Sequence, residues 1–166
     1  DLNRLGGLVA KTICREPRVG NPTPRMAETE GGIIQSIGLP GKGIDYFLDH
    51  IVPEYSKFTP PFIVSVSADT AEDFAAMARD LSVPDVDVIE VNISCPTKDP
   101  SGGNFAMHNE HTKFVVEGIR AATDKPVWAK LSPNAGDIVS IAVAAEEAGA
   151  DALVLTNTFL SLKIRT

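Results

Sequence analysis

The segment Asn92-Ile93-Ser94-Cys95-Pro96 places an amide, a hydroxyl and a thiol directly after an apolar run at residues 86–91. A β-branched run that ends in proline is typical of a buried strand that stops abruptly, because proline cannot donate a ladder hydrogen bond. The pattern therefore predicts a thiol at the carboxyl end of a strand. Most cysteines of this kind are small buried apolar side chains, so the neighbouring residues decide whether Cys95 does chemistry.

Two lysines, Lys11 and Lys130, each lie within an apolar run that predicts a strand. A lysine is almost never buried without a partner, and an ion pair with a buried carboxylate is one interpretation of either residue. The other is a site whose ammonium groups stabilise negative charge developing on a reduced flavin or an oxyanion. Asn92 and Asn157 follow two further apolar runs, and their amides suit a planar amide or pyrimidine-like ring.

The composition argues against several classes of function. The 166 residues carry 15 Lys plus Arg against 22 Asp plus Glu, a net charge of −7, so a nucleic-acid backbone would meet no basic field. No apolar run approaches the roughly 20 residues of a membrane span, and we expect no membrane partner. Cys14 and Cys95 have no secretory context, which indicates thiols in the cytoplasm. His108 and His111 lack a third ligand, and we expect no metal site.

The hydrophobic pattern alternates between strands and helices. Apolar runs predict five strands, at residues 8–13, 61–66, 86–91, 126–131 and 151–158. Four helices are predicted between them: residues 44–52, ended by Pro53; a segment from Thr70 that stops before Pro84; about 110–122; and 137–148, closed by Gly149. The helix side chains expected to face the core are Tyr46, Phe47, Ile51, Phe74, Met77, Ala78, Leu81, Phe114, Val115 and Ile119.

Residues 15–43 interrupt this alternation with four prolines and several glycines. A connection of that length is usually a functional covering or a disordered link. We expect an irregular covering that packs through Ile33, Ile34, Ile37 and Leu39.

Apolar strands that alternate with amphipathic helices indicate an α/β fold with a parallel sheet covered by helices. No G-x-G-x-x-G motif follows a strand, which disfavours a dinucleotide-binding sheet. Polar residues at the carboxyl ends of at least four strands favour a (β/α)8 TIM barrel, whose active sites lie there. Since a complete barrel takes about 250 residues, residues 1–166 are predicted to form one partial barrel domain that lacks the first strand and the last two.

Six motifs, in order along the chain, resemble the dihydroorotate dehydrogenases. They are Lys11-Thr12, Pro17-Arg18-x-Gly20-Asn21-Pro22-x-Pro24-Arg25, Ser36-Ile37-Gly38-Leu39, Asn92-Ile93-Ser94-Cys95-Pro96, Lys130-Leu131-Ser132-Pro133-Asn134 and Asn157-Thr158. Cysteine at position 95 resembles class 1 of the family. The run at 130–134, with Gly102-Gly103-x-Phe105, resembles subclass 1B rather than the fumarate-using 1A enzymes.

The resemblance implies an FMN-dependent oxidation of dihydroorotate to orotate in pyrimidine biosynthesis. The family's base corresponds to Cys95, which takes the C5 proton while a hydride leaves for FMN. The implied cofactor-binding residues are Lys11, Thr12, Asn92, Lys130 and Thr156. The implied substrate-binding residues are Lys11, Gln35, Ser36, Ile37, Gly38, Leu39, Asn92, Asn157 and Thr158. Subclass 1B further implies a homodimer and a partner subunit that carries FAD and a [2Fe-2S] cluster and passes electrons to NAD.

Several positions depart from the family pattern. Gln35 stands where asparagine is usual, Ser65 where an asparagine facing flavin is common, and Thr97 where asparagine follows Cys-Pro. Ser161 replaces a usual glycine and Arg165 a usual aspartate. The glycine-rich loops that bind the FMN phosphate are expected outside these 166 residues, so we expect this stretch alone not to hold FMN.

Two alternatives remain at this stage. A dihydropyrimidine dehydrogenase-type flavoenzyme shares the Asn-x-Ser-Cys-Pro and Asn-Thr motifs but usually lacks the proline-rich and arginine-containing run at 17–25. A degenerate, non-catalytic barrel fragment that serves as an interaction module is the second.

Overall fold

The computed structural model describes residues 1–95 and 104–164. Its strands are β1 (Leu8–Val9), β2 (Met26–Thr29), β3 (Gly32–Gln35), β4 (Phe62–Val66), β5 (Val88–Asn92), β6 (Val127–Lys130) and β7 (Ala152–Val154). Its α-helices are α1 (Gly43–Tyr46), α2 (Val52–Tyr55), α3 (Ala71–Asp80), α4 (Asn109–Arg120) and α5 (Ile138–Glu147). A π-helical turn, Phe47–Ile51, joins α1 to α2, and short 3-10 turns occupy Leu2–Arg4 and Phe105–Met107.

Five of the strands form one parallel sheet in the order β1-β4-β5-β6-β7. Successive strands are neighbours throughout, and α3, α4 and α5 pack side by side in the same order. A doubly wound sheet reverses its strand order at a switch point, whereas a barrel adds each βα unit on the same side. The sequential order therefore confirms the prediction of a partial (β/α)8 TIM barrel.

The two faces of the sheet differ in chemistry. Val64, Val66, Ile89 and Val91 are fully buried in the hydrophobic core, as strands covered by helices require. The residues that alternate with them along β4 and β5 are Ser65, Glu90 and Asn92, whose polar side chains are also buried. Because side chains alternate between faces along a strand, the polar residues share the face opposite the apolar layer, which we call the inner face.

The structure corrects three expectations about the elements. Residues 15–43 are not wholly irregular, because β2 and β3 pair as an antiparallel hairpin. The first helical segment does not end at Pro53 but continues to Tyr55, since Pro53 lies in the first turn of α2, where its missing N–H costs nothing. Phe114 and Ile33 are 61% and 59% exposed and do not pack in the core.

The predictions for the later helices hold closely, whereas β1 and β7 are shorter than the predicted strands at 8–13 and 151–158. The α3, α4 and α5 bounds lie within a few residues of the predicted helices, and Gly149 takes a positive φ of 97° directly after α5. Phe74, Met77, Ala78, Leu81, Val115 and Ile119 are buried as expected. In the described residues, no helix is long and apolar enough to cross a membrane.

Asp151 anchors the edge strand β7 to its neighbour. Its carboxylate accepts the Val127 backbone N–H at 2.7 Å and the Arg120 guanidinium at 3.0 Å. Its own N–H donates to the Val127 carbonyl at 2.8 Å. The carboxylate thus fixes where β6 and β7 begin and where α4 ends.

We predict that Asp151→Ala lowers the free energy of unfolding by about 1–3 kcal/mol, because the Val127 N–H loses its acceptor. Asp151→Asn retains an acceptor oxygen and should lose clearly less. Urea unfolding followed by circular dichroism measures both variants. Equal losses would contradict this account of the carboxylate.

Candidate active site

The Asn92 side chain joins the ends of three strands. Its Nδ2 donates to Thr12 Oγ1 at 3.2 Å, and its Oδ1 accepts from Asn157 Nδ2 at 3.0 Å and from Ser94 Oγ at 3.1 Å. Asn157 Nδ2 also donates to Ser94 Oγ at 3.1 Å. We call Thr12, Asn92, Ser94 and Asn157 the amide junction. It brings together residues that follow β1, end β5 and follow β7, at the carboxyl edge of the sheet.

The junction extends to β4 through a hydroxyl pair. Thr12 Oγ1 and Ser65 Oγ share a hydrogen bond of 2.8 Å. Ser67, two residues further along the same ladder, is 1% exposed, and its Oγ has no hydrogen-bond partner within the described structure. A buried hydroxyl without a partner is uncommon. The end of β4 therefore carries one buried hydroxyl that the described structure leaves unsatisfied.

Lys130 stands opposite Asn92 in the register of β5 and β6. Its Nζ lies 3.9 Å from Oε1 of Glu90, whose side chain is only 5% exposed. Glu90 is on the inner face, two residues before Asn92, so the ion pair lies directly beneath the amide junction. The sequence interpretation of a lysine paired with a buried carboxylate holds for Lys130, and the pair also borders the site.

Lys11 takes a different environment from Lys130. Its Nζ donates to the Pro40 carbonyl at 2.6 Å. Burial lowers the pKa of the Lys11 ammonium below its ordinary value; the Cys14 thiol acts in the opposite direction, and the Arg25 guanidinium lowers it further. Lys11 thus links the amide junction, through its neighbour Thr12, to the segment at 35–40.

That segment is held by local contacts rather than by the sheet. Asn21 Nδ2 donates to the Ser36 carbonyl at 2.9 Å and to Ser36 Oγ at 2.8 Å, and Gln35 Oε1 accepts the Ile37 N–H at 3.0 Å. Gly38 has a φ of +79°, and a Cβ there would lie 2.7 Å from the Asn21 nitrogen. Only glycine fits this close approach.

Three of the predicted substrate residues line one cleft of about 1260 Å³. Gln35 and Ser36 lie on the wall formed by the β2–β3 hairpin, and Thr158 lies on the opposite wall, formed by residues 158–163. Ile37, Gly38 and Leu39 follow the hairpin wall along the chain. The structure thus places the hairpin and the segment after β7 across from each other.

Cys95 is half-buried and Cys14 is buried, and neither cysteine forms a disulfide. It follows Ser94 of the amide junction, so its backbone is fixed to the carboxyl end of β5. Thr156 Oγ1 donates to the Asn157 carbonyl at 3.1 Å, and the Thr158 N–H donates to Asn157 Oδ1 at 2.8 Å. Predicted motif residues Pro96, Thr97, Gly102, Gly103 and Arg165 lie outside the described residues.

Three residues of the site were not singled out from the sequence: Ser94, Glu90 and Asn134. Ser94 and Asn134 each belong to a motif that resembles the family, and membership of those motifs is the sequence feature that could have identified them. Glu90 lies between the apolar residues Ile89 and Val91, and an acid at this inward-facing position of a strand indicates a partner for Lys130. Among the described residues, no group of three or more His, Cys, Asp or Glu side chains is placed to hold a metal ion.

Parallel strands in barrel order, with a polar junction at their carboxyl ends, define the class of (β/α)8 barrel enzymes. The family model for dihydroorotate dehydrogenase matches residues 1–166. The chain therefore belongs to the dihydroorotate dehydrogenase family.

Relatives named dihydroorotate dehydrogenase B (NAD(+)), catalytic subunit, support the resemblance to class 1B. Those of Desulforamulus reducens, Desulforudis audaxviator and Listeria welshimeri are 45%, 44% and 41% identical over 165 residues. The alignments cover 99% of this chain and 54% of each relative, so the chain spans about half their length. A solved carboxyl transferase domain of Rhizobium etli pyruvate carboxylase covers 72% of the chain and 25% of its own at 17% identity, with a TM-score of 0.43, too weak a likeness to bear on fold or function.

We predict that Lys130→Met lowers the free energy of unfolding by about 1–3 kcal/mol, because it leaves the Glu90 carboxylate buried without its cation. Adding Glu90→Gln should recover part of that loss, since the remaining amide carries no charge. Urea unfolding of the parent, both single variants and the double variant measures the coupling. Purely additive losses would show that the two side chains do not interact.

Proposed function

We propose that this chain supplies the catalytic site of a class 1B dihydroorotate dehydrogenase, which oxidises dihydroorotate to orotate in pyrimidine biosynthesis. The observation that carries the proposal is the amide junction, because it holds Cys95 at the same edge of the sheet as Lys130, Asn157 and Thr158. A base, a cation and ring-binding amides are the groups that this oxidation requires at one place.

The inner face fits the pyrimidine edge of FMN. The Lys130 ammonium and the Asn92 amide are donors suited to an acceptor-rich ring edge, and the unpartnered Ser67 hydroxyl lies at the end of the adjacent strand. Lys11, Thr12 and Thr156 complete the proposed cofactor set. FMN, when bound, supplies a hydride acceptor. Contacts to its phosphate are proposed to come from residues outside these 166.

The substrate would lie between the amide junction and the cleft. Asn92, Asn157 and Thr158 offer amide and hydroxyl groups to the dihydroorotate ring and carboxylate, and Lys11 offers a positive charge. Gln35 and Ser36, with Ile37, Gly38 and Leu39 behind them, form the opposite wall. Gln35 is one methylene longer than the asparagine usual in the family, so it extends further from the hairpin.

Cys95 is the proposed base. Its Sγ would accept the proton from C5 of dihydroorotate as the hydride leaves C6. The position next to Ser94 keeps the thiol close to the ring-binding amides.

The names of the relatives support a two-subunit enzyme. We propose a homodimer of catalytic subunits in the cytoplasm, with a partner subunit whose FAD and [2Fe-2S] cluster pass electrons to NAD.

Anaerobic mixing with substrate tests the reaction. The flavin of the purified full-length protein that contains this chain should lose its oxidised-flavin absorbance with dihydroorotate and keep it with dihydrouracil. Bleaching by dihydrouracil would favour a dihydropyrimidine dehydrogenase-type enzyme. A colourless full-length protein that stays free of flavin when FMN is added would favour a non-catalytic fragment.

Cys95→Ser tests the base. The rate of flavin reduction should fall by about 10²–10⁴-fold, the usual contribution of a positioned general base, while orotate binding stays close to that of the parent. Stopped-flow absorbance and orotate titration measure the two. Cys14→Ser, which changes the other, buried thiol, is the matched control. Equal loss of reduction and orotate binding in Cys95→Ser would identify a structural thiol.

A further inference from the structure

Asn134 joins the loop after β6 to the segment after β7. Its Nδ2 donates to the Thr158 carbonyl at 3.1 Å, and its Oδ1 accepts the Leu160 N–H at 3.0 Å. The nitrogen and the oxygen of one side-chain amide therefore hydrogen-bond to two residues, two positions apart, on the same segment. An amide with its donor and its acceptor engaged is held in one orientation.

The Asn134 side chain is itself anchored. Ser132, which is 0% exposed, accepts the Asn134 N–H at 3.2 Å and Nδ2 at 3.3 Å through its Oγ. The two residues form a rigid connection from the buried end of β6 to the surface. No role in binding was assigned to either from the sequence.

The gripped segment forms one wall of the cleft. Residues 158–163 face the β2–β3 hairpin across the cleft. Leu160 and Phe159 are 71% and 76% exposed, so the hydrophobic core does not hold this wall in place. The Asn157 N–H donates to the Leu131 carbonyl at 3.0 Å, which ties the start of this wall to the sheet. Among the described residues, the side-chain hydrogen bonds that reach Thr158 and Leu160 from another element come from Asn134.

We propose that Asn134 is a positioning residue that sets the wall of the substrate cleft at Thr158. This inference rests on the proposed function, because it takes dihydroorotate as the ligand between the two walls. Asn134 would touch neither substrate nor cofactor. Its loss should weaken substrate binding and leave the chemistry at Cys95 nearly unchanged, since the amide junction is built from other residues.

Amide hydrogen exchange without substrate measures how strongly Asn134 protects the Leu160 N–H. In Asn134→Ala, the Leu160 amide should exchange about fivefold faster, the factor that one ordinary hydrogen bond gives. The Thr158 amide donates to Asn157 instead and should keep its rate, which makes it an internal reference. Asn134→Asp keeps an acceptor for Leu160 but has no donor for the Thr158 carbonyl, so it should restore the protection of Leu160.

Flavin reduction by dihydroorotate measures the consequence. Asn134→Ala should raise the KM about fivefold to 25-fold, the effect of one or two lost hydrogen bonds on binding, with a maximal rate close to that of the parent. Asn109→Ala, which removes an amide that accepts from Ser140 on the helix side, is the matched control and should leave KM unchanged.

The outcomes separate the two proposals. An unchanged KM in Asn134→Ala, or a reduced maximal rate at constant KM, would overturn the positioning role while the proposed function stands. An unchanged exchange rate at Leu160 would also overturn it. A parent protein whose flavin is not reduced by dihydroorotate would overturn the proposed function, and the role of Asn134 in substrate binding with it.

Discussion

The buried amide of Asn92 is the constraint on which the site depends. At 4% exposure, its donor and acceptor must find partners inside the protein, because an unsatisfied buried amide costs about 1–3 kcal/mol. Thr12, Ser94 and Asn157 supply those partners. The hydrogen bonds of this one amide therefore bring together the carboxyl end of β5 and the segments after β1 and β7. Cys95 follows Ser94 at the same edge of the sheet.

The inner face of the sheet holds a buried ion pair, between Glu90 and Lys130, instead of apolar side chains. A buried carboxylate such as that of Glu90 is tolerated only with a cation near it. The Lys130 Nζ supplies that cation, 3.9 Å from Glu90 Oε1. On the opposite face, Val64, Val66, Ile89 and Val91 bury apolar surface against the helices. The apolar layer supplies the stability, which leaves the inner face free to hold polar groups for a ligand.

The proposed roles follow from this division. Asn92, Glu90 and Lys130 lie in regular strands, whose geometry varies little, and the other residues of the amide junction lie just beyond strand ends. Together they surround the positions proposed for the flavin and the base. The substrate cleft is built on the hairpin and on residues 158–163, which are held by side-chain amides such as Asn21 and Asn134. The site thus combines a floor built on strands with walls held by the hydrogen bonds of individual side-chain amides.

The sequence by itself determined the five strands of the parallel sheet and the later helices, because burial imposes local periodicity that can be read residue by residue. Polar residues at the strand ends favoured a barrel over a doubly wound sheet. The sequence also predicted which polar residues end the strands. Only the tertiary structure decided that Lys130 pairs with Glu90, that residues 26–35 form a hairpin, that Phe114 faces outward and that Asn134 grips residues beyond β7. The ion pair, the outward Phe114 and the Asn134 hydrogen bonds depend on neighbours distant along the chain or on which helix face meets the sheet, and local patterns of residue type do not specify such contacts. The hairpin is local, but its strands are mostly exposed and therefore lack the periodicity that burial imposes.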